Sequence, residues 1–219
     1  MTFDSYPCRV NFITDIFDAF NSIVWDANLI LQLVATVTGI LCVYLQTREK
    51  ILAWPFGIVS VTISVYIFTE SGLYSDVILH LVYVVLNIYG WWNWAASRRS
   101  DSAAAPILTM SKQGWILWPL VIVIGTGILG ALMGHYTDAS VPYFDAFTTV
   151  GSLVAQYLLA KKIFQNWSLW ILVDVVAINV YIYKEIYIIA FLFFVYLLLC
   201  IKGHFDWKKQ FKLQEEIAI

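Results

Sequence analysis

Apolar residues gather along the chain into seven runs, at 28–47, 51–68, 73–92, 115–133, 143–160, 167–183 and 186–201. Each is near the length that crosses about 30 Å of hydrocarbon at about 1.5 Å per residue, so the pattern predicts seven transmembrane helices. Ahead of them Ile13, Ile16, Phe17, Phe20, Ile23 and Val24 recur at helical spacing among Asp4, Asp15 and Asp18. That spacing predicts an amphipathic helix over residues 1–27, lying along a bilayer surface. The stretch lacks a basic segment leading into an apolar block, so a cleaved signal peptide is not expected. The polar run SRRSDSAAAP within 95–114 reads as the loop between two halves.

Polar residues inside the runs fall on lines. In the third run Asp76, His80, Tyr83, Asn87, Gly90 and Trp94 step by four, three, four, three and four, which puts all six within about 40° of one line on the helix surface. The fifth run repeats the device with Asp145, Thr149, Ser152 and Gln156, and the first with Asn28, Gln32, Thr36, Gly39 and Gln46. In the sixth, Trp167, Trp170 and Asp174 share a face, whereas Asn179 lies about 140° from Asp174. Polar stripes on four helices predict a shared cavity, because an intramembrane polar side chain is costly and faces protein or water. Mutual hydrogen bonding that only holds the bundle is the alternative for any single residue.

The runs also repeat. Shifted by 113 residues without a gap, 36–94 matches 149–207 at 14 of 59 positions, including Tyr44 with Tyr157, Trp54 with Trp167, Tyr74 with Tyr187, Tyr83 with Tyr196, Gly90 with Gly203 and Trp94 with Trp207. Fixed-period self-similarity signals duplicated architecture. The predicted fold is therefore an all-α membrane protein with a 3+1+3 parallel repeat: an interfacial helix at 1–27, a first three-helix unit at 28–96, loop and linker helix at 97–142, a second unit at 143–207 and a cytoplasmic tail at 208–219. Parallel halves place the substrate at their interface. The linker run carries Gly125, Gly127, Gly130 and Gly134, small enough for close helix packing.

Composition agrees with a bilayer as solvent: 61% of the residues are hydrophobic and 13% charged, with a mean hydropathy of +0.76. Eleven Lys and Arg fall on one side of the predicted bundle and two, Arg9 and Lys184, on the other. The positive-inside rule then puts the N-terminus outside and the C-terminal tail in the cytoplasm. Cys8, Cys42 and Cys200 form no CxxC pair, so neither a disulfide framework nor a metal site is expected. There is no HExxH, GxSxG or clustered DxxD, which argues against an enzyme. No cofactor and no nucleic-acid partner are expected.

Groups that both halves share serve the architecture, whereas a ligand needs each group once. Asp174, Gln156, His80, Asn87 and Asn179 align with Val61, Val43, Phe193, Cys200 and Tyr66, so these five are candidate substrate contacts. Trp170, Tyr83 and Trp54 are candidate aromatic partners. Within NIYGWWNW, Trp91, Trp92 and Asn93 read as an interfacial belt, Gly90 and Trp94 as scaffold, and Asn87 as the ligand contact. A carboxylate, amides and indoles suit a flat, cationic ring. With no Lys or Arg inside a run, they do not suit a phosphate or carboxylate.

At WPFG (54–57), SGLYSD (71–76), NIYGWWNW (87–94), NWSLWILVD (166–174) and GHFDW (203–207) the chain resembles the PnuC family of bacterial vitamin-precursor transporters. The resemblance covers nearly all of 28–209. It implies a fold related to the SWEET sugar transporters, a homotrimer in the bacterial inner membrane, and facilitated uptake of nicotinamide riboside. It also implies net uptake driven by a cytoplasmic kinase that phosphorylates the nucleoside. Thiamine or another vitamin or nucleoside on the same fold is one alternative, and a SWEET-like sugar facilitator another.

Overall fold

A computed structural model of the chain describes residues 27–97 and 106–217. The expected amphipathic helix at 1–27 lies outside the described residues except for Ala27, as do Arg98 and Arg99 of the polar loop. Seven helices follow one another: α1 (Ala27–Thr47), α2 (Ala53–Glu70), α3 (Tyr74–Ala96), α4 (Gly114–Tyr136), α5 (Pro142–Ala160), α6 (Asn166–Tyr183) and α7 (Tyr187–Ile217). All seven apolar runs are helical. The last departs most from expectation, continuing well past Ile201. Hydropathy ends there but helix propensity does not: no proline follows, Lys202 pairs with Asp206 one turn on, and the residues beyond are mostly good helix formers. At about 1.5 Å per residue α7 exceeds a 30 Å hydrocarbon layer by about 15 Å.

Five helices, α1, α2, α4, α6 and α7, are long and apolar enough to cross a membrane. The other two, α3 and α5, fall short because they carry the polar stripes, with Asp76, His80, Asn87 and Asn93 on one and Asp145 and Gln156 on the other. Hydropathy alone underrates a helix whose polar face is buried against protein.

Short connections make sequence neighbours antiparallel, and four of them close by one device. Glu49, Gly72, Lys162 and Glu185 take φ of 55°, 70°, 58° and 60°. The amides that follow them, of Lys50, Leu73, Ile163 and Ile186, donate to the carbonyls of Leu45, Phe68, Leu158 and Tyr181, the six-to-one bond of a left-handed helix stop. Three of these positions are not glycine and hold a backbone conformation that L side chains disfavour. The connections divide the charge, with Arg48, Lys50, Lys161, Lys162 and the basic stretch of α7 at one end of the bundle and Lys184 at the other.

Helix contacts run α1–α2–α3–α5–α6–α7 and return from α7 to α1. Six helices therefore form a closed ring. Among the described residues α4 packs on α5 alone and stands outside it, with Gly125 against Val150 and Gly130 against the Tyr143 ring. Gly127 has open space beside it, so close packing explains only part of the glycine pattern. The segment before α4 lies across the basic end. Leu108 donates to the Lys162 carbonyl at 2.9 Å and accepts from the Phe164 amide at 2.8 Å, while the Met110 amide donates to Gln165 Oε1 and the Ile107 amide to Gln214 Oε1.

Candidate functional site

The ring is shut at its basic end by four tryptophans. Trp54 and Trp167 pack directly on Gly90 and Gly203, where an added Cβ would run into each indole. Trp94 meets Trp54 edge-on at 5.2 Å, and Trp207 meets Trp167 likewise at 5.5 Å. Each of the two inner rings then bonds the neighbouring helix of the ring: Trp94 Nε1 of α3 donates to the Leu159 carbonyl of α5 at 3.2 Å, and Trp207 Nε1 of α7 to the Gln46 carbonyl of α1 at 3.1 Å. Between them the Lys162 ammonium lies 5.2 Å from the centre of Trp94 and 5.9 Å from that of Trp207, paired at 2.7 Å with Glu49. All four indoles are buried. Aromatic pairs of this kind add about 0.5–1.5 kcal/mol each beyond the area they bury.

One to two turns further in, every helix of the ring brings a polar or sulfur group to a common level. From α1 comes the Cys42 thiol, and from α3 the Asn87 amide, both packed on Gly57 of α2. The Tyr196 hydroxyl of α7 and Ser60 of α2 occupy the space that a side chain at Gly39 would need. Tyr83 donates to Ser152 of α5 at 2.5 Å, and Gln156, one turn further along α5, is buried beside it in sequence and on the same face. The Asp174 carboxylate of α6 lies near the Cys200 thiol of α7 and within electrostatic reach of Tyr83 and Tyr196.

Two acceptors at this level have no partner among the described residues. Asn87 spends its Nδ2 on the carbonyl of Tyr83 at 2.8 Å and leaves Oδ1 buried and unbonded, as is Asp174 Oδ2. Both residues are at least nine-tenths buried, at 3% and 1% exposure. A buried acceptor without a donor costs about 1–3 kcal/mol, more if charged, so two at one level mark a place built to receive donors from elsewhere. Two cavities, of about 510 and 350 Å³, lie nearer the basic end, the larger lined by Arg48, Lys50 and Lys209, the smaller by Ser168 and His204, and neither includes Asp174.

Of the sequence-chosen residues, Asp174, Asn87, Tyr83 and Gln156 are thus at the common level. Trp54 and Trp170 stand one turn from it toward the basic end, Trp54 wholly buried and Trp170 packed on the tryptophan cluster. His80 is one turn toward the opposite end, its ring 4.8 Å from Phe68 and 5.9 Å from Tyr83, on the side of the bundle where Lys184 holds both oxygens of Asp145. Asn179 does not join them. It is exposed among Leu172, Val175, Ile182 and Tyr183, and its Nδ2 bonds the Val175 carbonyl of its own helix at 2.8 Å. Asn93 also differs from expectation: it is no belt residue but a tie from α3 to the Ala160 carbonyl at 2.9 Å, whereas Trp91 and Trp92 are exposed as a belt requires. Sequence reasoning passed over Cys42, Cys200, Ser60 and Tyr196. The repeat held one signal, since Cys200 takes the place of Asn87 in the second half.

The sequence compares with known proteins over most of its length. The nicotinamide riboside transporter PnuC of Escherichia coli (strain K12) is 24% identical over 201 residues, covering 81% of this chain and 84% of that protein. The Neisseria mucosa protein of the same name is 28% identical over 204 residues, covering 88% and 75%. The riboflavin/roseoflavin transporter RibM of Streptomyces davaonensis is 25% identical over 189 residues, covering 84% and 85%. Among solved structures, the crystal structure of the vitamin B3 transporter PnuC superposes with a TM-score of 0.70 at 27% identity, covering 92% of this chain and 88% of that one. The family model described as nicotinamide mononucleotide transporter matches residues 29–209, and the chain belongs to that family.

Proposed function

We propose that this protein is a multi-pass inner-membrane transporter for facilitated uptake of a flat, cationic vitamin precursor, nicotinamide riboside before others. The observation that carries the reading is the pair of unbonded buried acceptors, Asn87 Oδ1 and Asp174 Oδ2, inside a ring of six helices. A glycosylated pyridinium supplies what they lack. Its ring carries the positive charge a lone carboxylate favours, and its carboxamide and ribose hydroxyls are donors. Tyr83 and Trp170 add faces on which such a ring stacks, and a cation gains from them too, while Trp54, wholly buried on Gly90, belongs to the proposed set as the floor beneath them. Gln156 and His80 complete the proposed set.

Facilitated diffusion fits the lining, in which Asp174 is the one carboxylate at the common level among the described residues. Net uptake then depends on a cytoplasmic kinase that phosphorylates the nucleoside and prevents its return. Two further parts of the reading rest on the resemblance to PnuC: a homotrimer, and a SWEET-like 3+1+3 parallel repeat. The repeat draws support from pairs 113 residues apart that behave alike. Trp54 and Trp167 cover Gly90 and Gly203, Trp94 bonds Leu159 as Trp207 bonds Gln46, and the left-handed stops Glu49 and Gly72 answer Lys162 and Glu185.

Riboflavin is the second reading, favoured by the similarity to the Streptomyces RibM transporter. Isoalloxazine is flat but uncharged, so the two readings part at Asp174. Calorimetric titration of the purified protein against nicotinamide riboside, thiamine, riboflavin, a deoxynucleoside and a hexose tests them. Specific heat with nicotinamide riboside that falls at least tenfold in affinity in Asp174→Leu supports the proposal. Binding of riboflavin or hexose alone, or an unchanged affinity in a folded Asp174→Leu, overturns it.

A further inference from the structure

The cavity of about 510 Å³ lies between the end of α1 and the part of α7 that continues past Ile201, and it includes none of the residues proposed to touch substrate. Arg48 and Lys50 line it from the turn after α1, and Lys209 from α7. Its two carboxylates are already answered, Glu49 by Lys162 at 2.7 Å and Asp206 by Lys202. Arg48, Lys50 and Lys209 form no ion pair with any described residue. The carbonyls that end α1 would repel an anion, but they are taken. That of Leu45 accepts from the amides of Arg48 and Lys50, and that of Gln46 from the Glu49 amide and the Trp207 indole. The cleft thus keeps three uncompensated cations around space for a small anion.

Toward the bilayer its flanks are apolar. On α1, Val37, Leu41 and Tyr44 lead to Arg48 in steps of four, three and four, and on α7, Phe191, Phe194, Leu198 and Phe205 lead to Lys209 in steps of three, four, seven and four. Each set lies within about 60° of one line on its helix. All of these apolar and aromatic side chains are exposed, and the two helices are neighbours in the ring. Tyr44 joins line and cleft, with the Arg48 guanidinium 6.0 Å from the centre of its ring. A phenol beside a cation suits the level at which acyl chains meet headgroups.

We infer that this cleft binds the headgroup of an anionic phospholipid, whose acyl chains lie along the exposed lines of α1 and α7. Basic recesses between helices at a membrane surface recognise phosphate headgroups by this combination of fixed cations and flanking hydrocarbon. A soluble phosphate compound would use the cations but has no use for the apolar lines. Glu49 both lines the cleft and pairs with Lys162 between the tryptophans, so the bound headgroup rests against the turn that closes the ring.

Native mass spectrometry of the full-length protein, with dioleoyl phosphatidylglycerol or phosphatidylcholine added to the detergent, tests the site. Phosphatidylglycerol is expected to bind about tenfold more tightly than phosphatidylcholine. The triple variant Arg48→Gln, Lys50→Gln, Lys209→Gln should lose at least about tenfold in affinity for phosphatidylglycerol, and less than about twofold for phosphatidylcholine. Lys112→Gln, Lys208→Gln, Lys212→Gln removes the same charge from the same end of the bundle outside the cleft, and should stay within about twofold of the parent for both lipids. Equal losses in the two triple variants would reduce the effect to diffuse charge and overturn the site. Displacement of the lipid by glycerol 1-phosphate at equal concentration would mark a site for soluble anions and overturn the lipid assignment. The parent protein alone gives a second measurement, with phosphatidylglycerol carrying a diazirine in its acyl chain. Its crosslinks should fall on residues 37–44 and 191–205 in excess over those of the choline analogue, and equal labelling by the two lipids, or labelling confined to other helices, overturns the inference.

Discussion

Glu49 and Lys162, 113 residues apart, face each other across the closed end of the ring in a 2.7 Å ion pair, each on a left-handed residue that ends its helix. The lysine side chain is 3% exposed and the carboxylate 12%. Removing one partner of so buried a pair strands the other, at a cost of about 3–5 kcal/mol. Glu49→Gln and Lys162→Met are therefore expected to lower the unfolding temperature in detergent, and the exchange Glu49→Lys with Lys162→Glu to recover part of the loss. Recovery stays incomplete because the cation then leaves Trp94 and Trp207. A Glu49→Gln protein that melts with the parent counts against the pair.

The two glycines under the indoles make a matched prediction. A Cβ at Gly203 would stand 2.7 Å from several atoms of Trp167, and one at Gly90 would meet Trp54 more closely still. Gly90→Leu and Gly203→Leu should each reduce the yield of folded, monodisperse protein by size-exclusion chromatography, with Gly127→Leu, which has open space, as the tolerant control. Overpacking typically costs about 1–3 kcal/mol and more when the neighbour is a ring wedged on both sides. A normal yield with transport lost would move the glycines from scaffold to function.

Periodicity made much of this visible and composition little more. The stripe on α3 was legible because Asp76, His80, Tyr83 and Asn87 are strongly polar and regularly spaced, and Asn87 and Tyr83 do lie at the central level. Asp174 stood out as a carboxylate in an apolar run. Asn179 was misleading for the same reason: an amide in an apolar run looks costly, but its own helix supplies a carbonyl and removes the cost. Cys42 and Tyr196 gave no signal, since cysteine reads as a small apolar residue and tyrosine as an aromatic, and Cys200 showed only as the residue opposite Asn87 in the repeat. The length of α7 was missed because hydropathy measures the bilayer and not the helix. That α3 and α5 are neighbours in the ring, with α4 outside it, follows from packing alone, which no local pattern records.

Asn87 and Asn179 are the same side chain in opposite settings, which lets one substitution test both. Asn87→Leu removes a buried unbonded acceptor and is expected to weaken nicotinamide riboside binding by about tenfold or more in a titration of the purified protein. The same change at Asn179 replaces an exposed amide on an apolar face, so affinity should stay within about twofold and thermal stability should hold or rise. An Asn179→Leu protein that loses binding would show that this face of α6 contributes to recognition after all.

Orientation rests on the division of charge between the two ends of the bundle. Arg48, Lys50, Lys112, Lys161 and Lys162 with the four lysines of α7 lie at the tryptophan-closed end, against Lys184 beside Asp145 at the other. The cytoplasmic leaflet retains basic loops, and short loops dominate that bias. The closed end should therefore face the cytoplasm and the Asp145–Lys184 end the outside. A fluorescent protein fused after Ile219 should fold and emit, and alkaline phosphatase at the same point should stay inactive. The reverse pair of results would invert the assignment and put the tryptophan closure on the side from which substrate enters.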